Sequence, residues 1–356
     1  MESVGIVNPS FWKNRKVLIT GHTGFKGAWL TLWLQKLGAK VVGFSKGKVG
    51  TPNLFDIIDW DSSFVNIVGD IRDISAVDKV ISDYKPEIIF HLAAQSLVRF
   101  SYEDPLETFS SNVMGTVNVL DSARRSSSVQ SVINVTSDKC YENKEWAYAY
   151  RENDAFGGKD PYSASKGCAE IVASAYRSSY YNNIGLASVR AGNVIGGGDW
   201  ALDRLVPDCM VAFSKKSKVI VRNPNAIRPW QHVLEALRGY IILAQELNKD
   251  HKSFSKGYNF GPSHLDTQPV SYIVSELCKH WGSSASWELE NQSQQAKLHE
   301  ANFLRLDSSL AYNELKWRPI LNLDQALKKS ANWYRAYYDG KPMTRYSLDD
   351  LEEMEQ

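Results

Sequence analysis

From Lys16 to about Arg190, short β-rich apolar runs alternate with longer stretches of helical periodicity, the signature of a parallel sheet covered on both faces. The runs that read as strands are Val17 to Thr20, Val41 to Phe44, Phe64 to Val68, Ile88 to Leu92, Val132 to Thr136 and Leu186 to Val189. Between the first two, the pattern predicts an amphipathic helix from near Gly24 to Gly38, whose final glycine supplies the left-handed residue that ends a helix. Pro86 and Pro105 stand where elements begin, positions at which a missing amide hydrogen does no harm. Beyond Arg190 the alternation weakens, and Gly196-Gly197-Gly198 followed by Asp199 and Trp200 reads as a loop. Helices are then predicted at Arg204 to Phe213, Val233 to Glu246, Val270 to His280 and Leu323 to Tyr338, with a short strand at Lys218 to Val221. The acidic stretch after Tyr346 (Asp349, Asp350, Glu352, Glu353, Glu355) reads as a solvated end.

A length of 356 residues gives room for one large α/β domain and a smaller appended region. With 41 basic against 40 acidic residues, no general pull toward nucleic acid or an anionic membrane is expected, so any anion must be met locally. Cys140, Cys168, Cys209 and Cys278 form no C-x-x-C pair and no cluster with histidine spacing; the expectation is four reduced thiols and no metal. Neither a leader pattern nor an apolar run of about 18 residues is present, and a cytoplasmic protein is expected.

Gly21-His22-Thr23-Gly24-Phe25-Lys26-Gly27 follows the first strand directly and opens the predicted helix, the context that a dinucleotide-binding turn requires. Gly21 permits the tight turn, Gly24 lets main-chain amides approach a pyrophosphate, and Gly27 allows the helix to pack against the strand. The anion then rests on the helix N-terminus. After the second strand, where an acidic residue usually binds the ribose hydroxyls of NAD, the chain reads Ser45-Lys46, which leaves NAD and NADP both open. These features together predict a Rossmann-type doubly wound parallel sheet in a dinucleotide-binding domain over residues 1–190. A smaller mixed α/β substrate-binding region follows over 191–356, with a possible return of the chain to the first domain.

Tyr162 and Lys166 are four residues apart, on one face of a helix. Oxidising a secondary alcohol requires a base for its hydroxyl proton, and a free phenol with pKa near 10 is too weak; a neighbouring lysine lowers that value. A strand ending in Thr136-Ser137 precedes the pair. His91-Leu92-Ala93-Ala94-Gln95-Ser96 ends the fourth strand in small residues that let a ribose lie against the backbone.

The glycine turn, this small-residue segment and the Tyr/Lys pair resemble the extended short-chain dehydrogenase/reductase family across nearly the whole chain. That resemblance implies NAD held by residues 21–27, by Asp70 and Ile71, by Ala93 and Ala94, and by Tyr162, Lys166 and Arg190. It makes Ser137 the residue that holds the reacting sugar hydroxyl and Asn112 a supporting residue. Asp138 and Lys139 follow Ser137 where the 4,6-dehydratases of this family carry the acid and base for loss of water, with Lys139 in place of a glutamate. This substitution, His22, and Arg228-Pro229-Trp230-Gln231-His232-Val233 resemble the CDP-glucose 4,6-dehydratases in particular, implying CDP-glucose as substrate. Lys139 can be read as the C5 base or as a charged stabiliser. By the same resemblance Arg228 grips the diphosphate, Asn193 contacts a phosphate or the sugar, and Gln95 and Ser96 meet the hexose; Arg204 and Arg222 flank the nucleotide pocket. Competing readings are a sugar-nucleotide 4-epimerase, a 4,6-dehydratase for another nucleotide, and a non-catalytic dinucleotide sensor. Family members pair through helices, which implies a homodimer or a higher homo-oligomer.

Overall fold

The computed structural model describes residues 5–48, 50–263, 266–290 and 303–355. Among these residues the strands are β1 (Lys16–Thr20), β2 (Lys40–Ser45), β3 (Val65–Val68), β4 (Ile88–His91), β5 (Ser131–Val135), β6 (Gly185–Ala191), β7 (Asn193–Ile195), β8 (Val219–Val221), β9 (Ile227–His232), β10 (Gly257–Phe260), β11 (Thr267–Pro269) and β12 (Trp287–Leu289). Seven form one parallel sheet in the order β10-β6-β5-β4-β1-β2-β3. The order reverses beside β1, so a crevice opens beyond the carboxyl ends of β1 and β4, where folds of this kind bind ligands. The seventh strand, β10, comes from the C-terminal half of the chain and pairs with β6 from Gly257 opposite Ser188 to Phe260 opposite Ala191.

Although the strands read as continuous apolar runs, their side chains still alternate between faces. Val17, Ile19, Val41, Ile88, Phe90 and Ile133 enter one core, whereas Leu18, Val42, Phe44, Ile89 and Val132 enter another on the opposite side of the sheet. The second core is closed by the helices Ile74–Tyr84, Gly115–Arg125 and Pro161–Ser179. The first is closed by the helices Phe25–Lys36 and Val233–Lys249, and every residue of the latter from Val233 to Leu247 is buried.

Two expectations fail here. The helix after the glycine turn is not amphipathic, because all residues from Gly27 to Leu34 are buried. It touches the sheet on one side, and the helices Val233–Lys249 and Met343–Glu353 cover much of the rest. The acidic end is likewise not a solvated tail but the docked helix Met343–Glu353. Met343, Ser347, Leu351 and Met354 are buried on one face at helical spacing. Asp350 lies buried 2.6 Å from Lys329 Nζ, its carboxyl pushed up to about 6 by burial despite that ammonium. Glu355 accepts from Trp33 Nε1 at 2.8 Å and pairs with Lys36 at 2.7 Å. The charges rim a contact that the apolar stripe makes.

Outside the main sheet, β7 and β11 flank β9, parallel and antiparallel to it, and β8 pairs with β12. The helices Leu205–Ser214, Val270–Trp281 and Leu323–Tyr338 pack around them. β9 ends in His232, which caps the helix Val233–Lys249 and thereby ties this small sheet to the main core. Leu351→Ala should cost about 2–5 kcal/mol by leaving a cavity beneath the C-terminal helix. Urea unfolding checks it: a loss below about 0.5 kcal/mol would match an exposed position instead.

Candidate active site at the switch point of the sheet

The floor of the crevice is the glycine turn. Gly21 has φ +76°, a left-handed conformation that L side chains rarely adopt. A Cβ there would stand 2.7 Å from the Ala93 amide nitrogen, and one at Gly27 would stand 2.1 Å from the Gly21 carbonyl oxygen. Gly24 caps the helix Phe25–Lys36 without any side-chain hydrogen bond, so the first amides of the helix are available to an anion. This cradle fits a dinucleotide pyrophosphate. Thr23 braces it, its hydroxyl 2.8 Å from Ser45 Oγ and donating to Gly47 O at 2.7 Å.

His22 takes part in the turn only through its main chain. Its ring is fully buried, 2.8 Å from Asn66 Oδ1 through Nε2 and edge-on to Phe55, in space that a Cβ at Gly43 would occupy. Burial lowers its pKa. Phe25 points toward Gly196. The Lys26 ammonium lies 5.9 Å from the Tyr240 ring, with its pKa down to about 8 through burial, reinforced by Lys166 and Arg204.

At the far end of the crevice Asp70 is not a helix cap; Asp73 caps the helix Ile74–Tyr84. The Asp70 carboxylate accepts from the main-chain nitrogen, Nε and Nη2 of Arg72 at 2.9, 2.9 and 2.6 Å, bonds that hold its pKa low. Ile71 is buried against Gly115. Lys46 is largely exposed and pairs with Glu107 at 3.2 Å. Ala93 donates its main-chain N–H to Thr20 Oγ1 at 3.2 Å, and Ala94 follows it, half-buried, along the β4 edge of the crevice.

The reacting groups converge between β5 and the helix Pro161–Ser179. Asp160 caps that helix, accepting from Ser163 N at 2.9 Å, with Pro161 in its first turn. Tyr162 and Lys166 are both buried on its inner face. Ser137 caps the short turn Asp138–Cys140 and donates to Asp138 Oδ1 at 3.0 Å, and its hydroxyl stands near enough to Tyr162 to favour the phenolate. Lys166 Nζ reaches Val135 O at 3.4 Å, and the Lys139 ammonium lies 5.8 Å from the Tyr162 ring. Asp138 is 2% exposed and its Oδ2 has no hydrogen-bond partner. A Cβ at Gly192 would stand 3.2 Å from that oxygen.

Burial dominates the electrostatics of all three titrating groups. It pushes Asp138 up against the pull of Lys139, the Ser137 hydroxyl and Arg228. It pushes Tyr162 up to about 12, opposed by Ser137 and Arg204, and Lys166 down to about 8, opposed by Glu170. Of the groups that oppose burial at the phenol, Ser137 comes first and Arg204 next.

Asn112 sits in a π-helical turn, Ser110–Met114. Its Nδ2 donates to Gln95 O and Ser165 Oγ, each at 2.9 Å, and its Oδ1 accepts from Gln95 N at 2.8 Å, joining the β4 loop to the Tyr162 helix. Gln95 spends its amide on Thr108 Oγ1 and Leu97 O, while Ser96 is exposed. Asn193 opens β7 opposite Trp230. Arg204 pairs with Asp199 at 2.7 Å, and Arg222 and Arg99 share Asp203 at 3.2 and 3.1 Å. Arg228 donates to Ile227 O at 3.0 Å and bears on Asp138.

Arg190, expected at the cofactor, is 3% exposed and turns its guanidinium to Glu170, with Nε to Oε1 at 2.7 Å and Nη2 to Oε2 at 3.0 Å. Glu170 and Tyr141, which meets Arg190 Nη1 at 2.7 Å, were not picked out from sequence. The signal for Glu170 was there, since it continues Tyr162-x-x-x-Lys166 by one more turn on the same face.

A switch-point crevice floored by G-x-x-G-x-x-G and walled by Ser137, Tyr162 and Lys166 defines an extended short-chain dehydrogenase/reductase. The chain belongs within that class to the family whose model, described as GDP-mannose 4,6 dehydratase, matches residues 18–330. It is 49% identical over 345 residues to the CDP-glucose 4,6-dehydratase of Salmonella typhimurium, covering 95% of each chain. A probable dTDP-glucose 4,6-dehydratase of Sinorhizobium fredii is 23% identical over 90% of this chain and 92% of its own. Among solved structures, the UDP-glucose 4-epimerase of Thermus thermophilus in complex with NAD superposes with a TM-score of 0.77 at 20% identity, over 90% of this chain and 99% of that one. The dTDP-glucose 4,6-dehydratase of Streptomyces venezuelae with NAD and TYD bound gives 0.77 at 22% identity, over 92% and 98%. At these identities the superpositions establish the shared fold.

Gly27→Ala tests the cradle. The added methyl must push the helix off the strand, so it should lower the Tm of the free protein and abolish the further rise that dinucleotide gives; binding of wild-type strength would show that the close helix approach is not needed.

Proposed function

We propose that this chain converts CDP-glucose to CDP-4-keto-6-deoxyglucose and water, using NAD that is restored in each turnover. The observation that carries the reading is Asp138, a buried carboxyl group with an unpartnered oxygen and a raised pKa, bonded to Ser137 beside Tyr162. A 4-epimerase needs the serine, the tyrosine and the lysine but has no water to expel, and so no use for this acid. The 49% identity with a CDP-glucose 4,6-dehydratase supports the same branch.

Residues 21–27, Asp70, Ile71, Ala93 and Ala94 would hold NAD, with the pyrophosphate on the turn. Bound there, NAD would supply a reversible hydride acceptor for C4 and C6 of the sugar. Ser137 holds the 4-hydroxyl and Tyr162, as phenolate, takes its proton; Arg204, Lys139 and Lys166 supply positive charge that favours the phenolate. The 4-ketone acidifies the C5 hydrogen. Asp138, kept protonated by burial, gives its proton to the departing 6-hydroxyl. Lys139, beside the Tyr162 ring, either takes the C5 proton as a neutral amine and gives a proton back to C5 as hydride reaches C6, or stays charged and stabilises the enolate while solvent water takes and returns that proton. Arg228, Arg204 and Arg222 meet the diphosphate and nucleotide, where guanidinium forks suit the oxygens; Asn193, Gln95 and Ser96 meet the sugar.

No helix among the described residues is long and apolar enough to cross a membrane. The 6-deoxysugar nucleotide would be made in the cytoplasm for a surface polysaccharide. Leu106, Phe109, Met114 and Ile171 are exposed on Pro105–Phe109, the π turn and the Tyr162 helix, and Tyr180 is exposed just past the end of that helix. Covering them in a symmetric homodimer accounts for that surface.

Tyr162→Phe should slow C4 oxidation about 10²- to 10⁴-fold, read from nicotinamide absorbance after mixing with CDP-glucose; a wild-type rate would remove Tyr162 as base. Asp138→Asn should leave that absorbance change within a few-fold while slowing release of the dehydrated product about 10²-fold or more. Unaltered dehydration would take Asp138 out of the reaction and return the epimerase reading to the front.

A further inference from the structure

Beneath the reacting groups lies a buried network that none of these steps uses. Glu170, 2% exposed, takes the two nitrogens of Arg190 and the Thr136 hydroxyl. Arg190 Nη1 continues to Tyr141 OH at 2.7 Å and Glu152 O at 3.1 Å. Tyr141 OH donates to Asn259 Oδ1 at 2.7 Å, and Asn259 Nδ2 donates to Tyr150 O at 2.9 Å.

The sequence positions give this network its meaning. Thr136 and Tyr141 bracket Ser137, Asp138, Lys139 and Cys140, so the segment that carries the acid is gripped at both ends. The carboxylate at the centre stands on the helix that carries Tyr162 and Lys166. A buried ion pair commonly adds little stability over apolar side chains of the same volume, because desolvating both charges offsets their attraction. What directed bonds provide is fixed placement, and displacing reacting groups by about 1 Å can cost about 10²-fold in rate.

We propose that Glu170 and Arg190 are positioning residues for dehydration, a clamp that fixes Asp138 and Lys139 relative to Tyr162 and Lys166. The proposal rests on the dehydratase reading above. Glu170 has a second effect through charge. The groups that bear on Lys166 are Glu170 on its own helix, Cys140 from the bracketed turn, Lys26 from the glycine-turn helix and His91 from β4. Of these, Glu170 most favours the ammonium. Oxidation at C4 uses the Tyr162 phenolate beside charged Lys166; with the phenol titrating at about 12 and the ammonium at about 8, the rate should climb with pH and level off through about 8, and removing the Glu170 charge should move this alkaline limb to lower pH.

The test uses the full-length enzyme with NAD and CDP-glucose in single turnovers, following C4 oxidation by nicotinamide absorbance and water loss by mass spectrometry. Glu170→Gln should slow water loss about tenfold or more beyond its effect on oxidation, and shift the alkaline limb of oxidation downward. Glu170→Asp should restore the limb. Tyr141→Phe keeps the ion pair but frees the far end of the segment; it should slow water loss several-fold with the limb unmoved. Should Glu170→Gln not fold, Tyr141→Phe decides alone. Wild-type water loss in the folded variants, or equal slowing of both steps with the limb in place, overturns the proposal. A wild-type enzyme that does not dehydrate CDP-glucose overturns instead the reading on which it rests.

Discussion

The helix after β1 lies so close to the strand's end that a methyl group at Gly27 would meet the Gly21 carbonyl at 2.1 Å. That approach puts the first helical amides at the mouth of the crevice. It also sinks the helix into the protein, where it needs cover on more than one side. Trp29 and Trp33 are fully buried, with indole nitrogens bonded to Gly197 O and Glu355 Oε1 at 2.8 Å each. The glycine triplet and the C-terminal helix are thus drawn onto the same element. The N-terminal segment joins them through Trp12, whose Nε1 donates to Gln245 on the helix Val233–Lys249 at 2.8 Å. Parts distant in sequence are built around one tight contact.

The site exploits the same exclusion of water. Desolvation disfavours whichever form of a group is charged, so it holds Asp138 as an acid, depresses Lys26 and Lys166, and raises Tyr162. Burial alone would leave Tyr162 an inert phenol. Its use as a base depends on charge and hydrogen bonds brought close enough to oppose burial, which Ser137 and Arg204 begin to supply. The serine therefore stands between the two, bonded to the acid and close to the base.

The central strands were legible to within a residue or two, because parallel strands between two helix layers are apolar on both faces and stand out as short runs. Of the four later helices, Leu323–Tyr338 matches its expected bounds and Val270–Trp281 differs by one residue. What failed had a common cause. The glycine-turn helix and the acidic C-terminal helix were judged from residue type, yet their environment is set by tertiary neighbours. For the latter, the stripe Met343, Ser347, Leu351, Met354 was the better signal than the charges around it. At the site, motif residues such as Tyr162, Lys166 and Ser137 could be found because chemistry fixes their spacing. The Glu170–Arg190 pair could not be read as a pair, since its partners come from a helix and from β6 and only folding aligns them. The same holds for the arginines that share Asp203, which join three separate segments.

One reaction gives these residues their roles, and mass analysis of CDP-glucose incubated with the enzyme and trace NAD in deuterated water tests it directly. Loss of one water with one deuterium gained at C5 is the predicted result, with dTDP-glucose, UDP-glucose and GDP-mannose left unchanged. A product of unchanged sugar composition, inverted at C4, would contradict it and leave the buried acid Asp138 without a role.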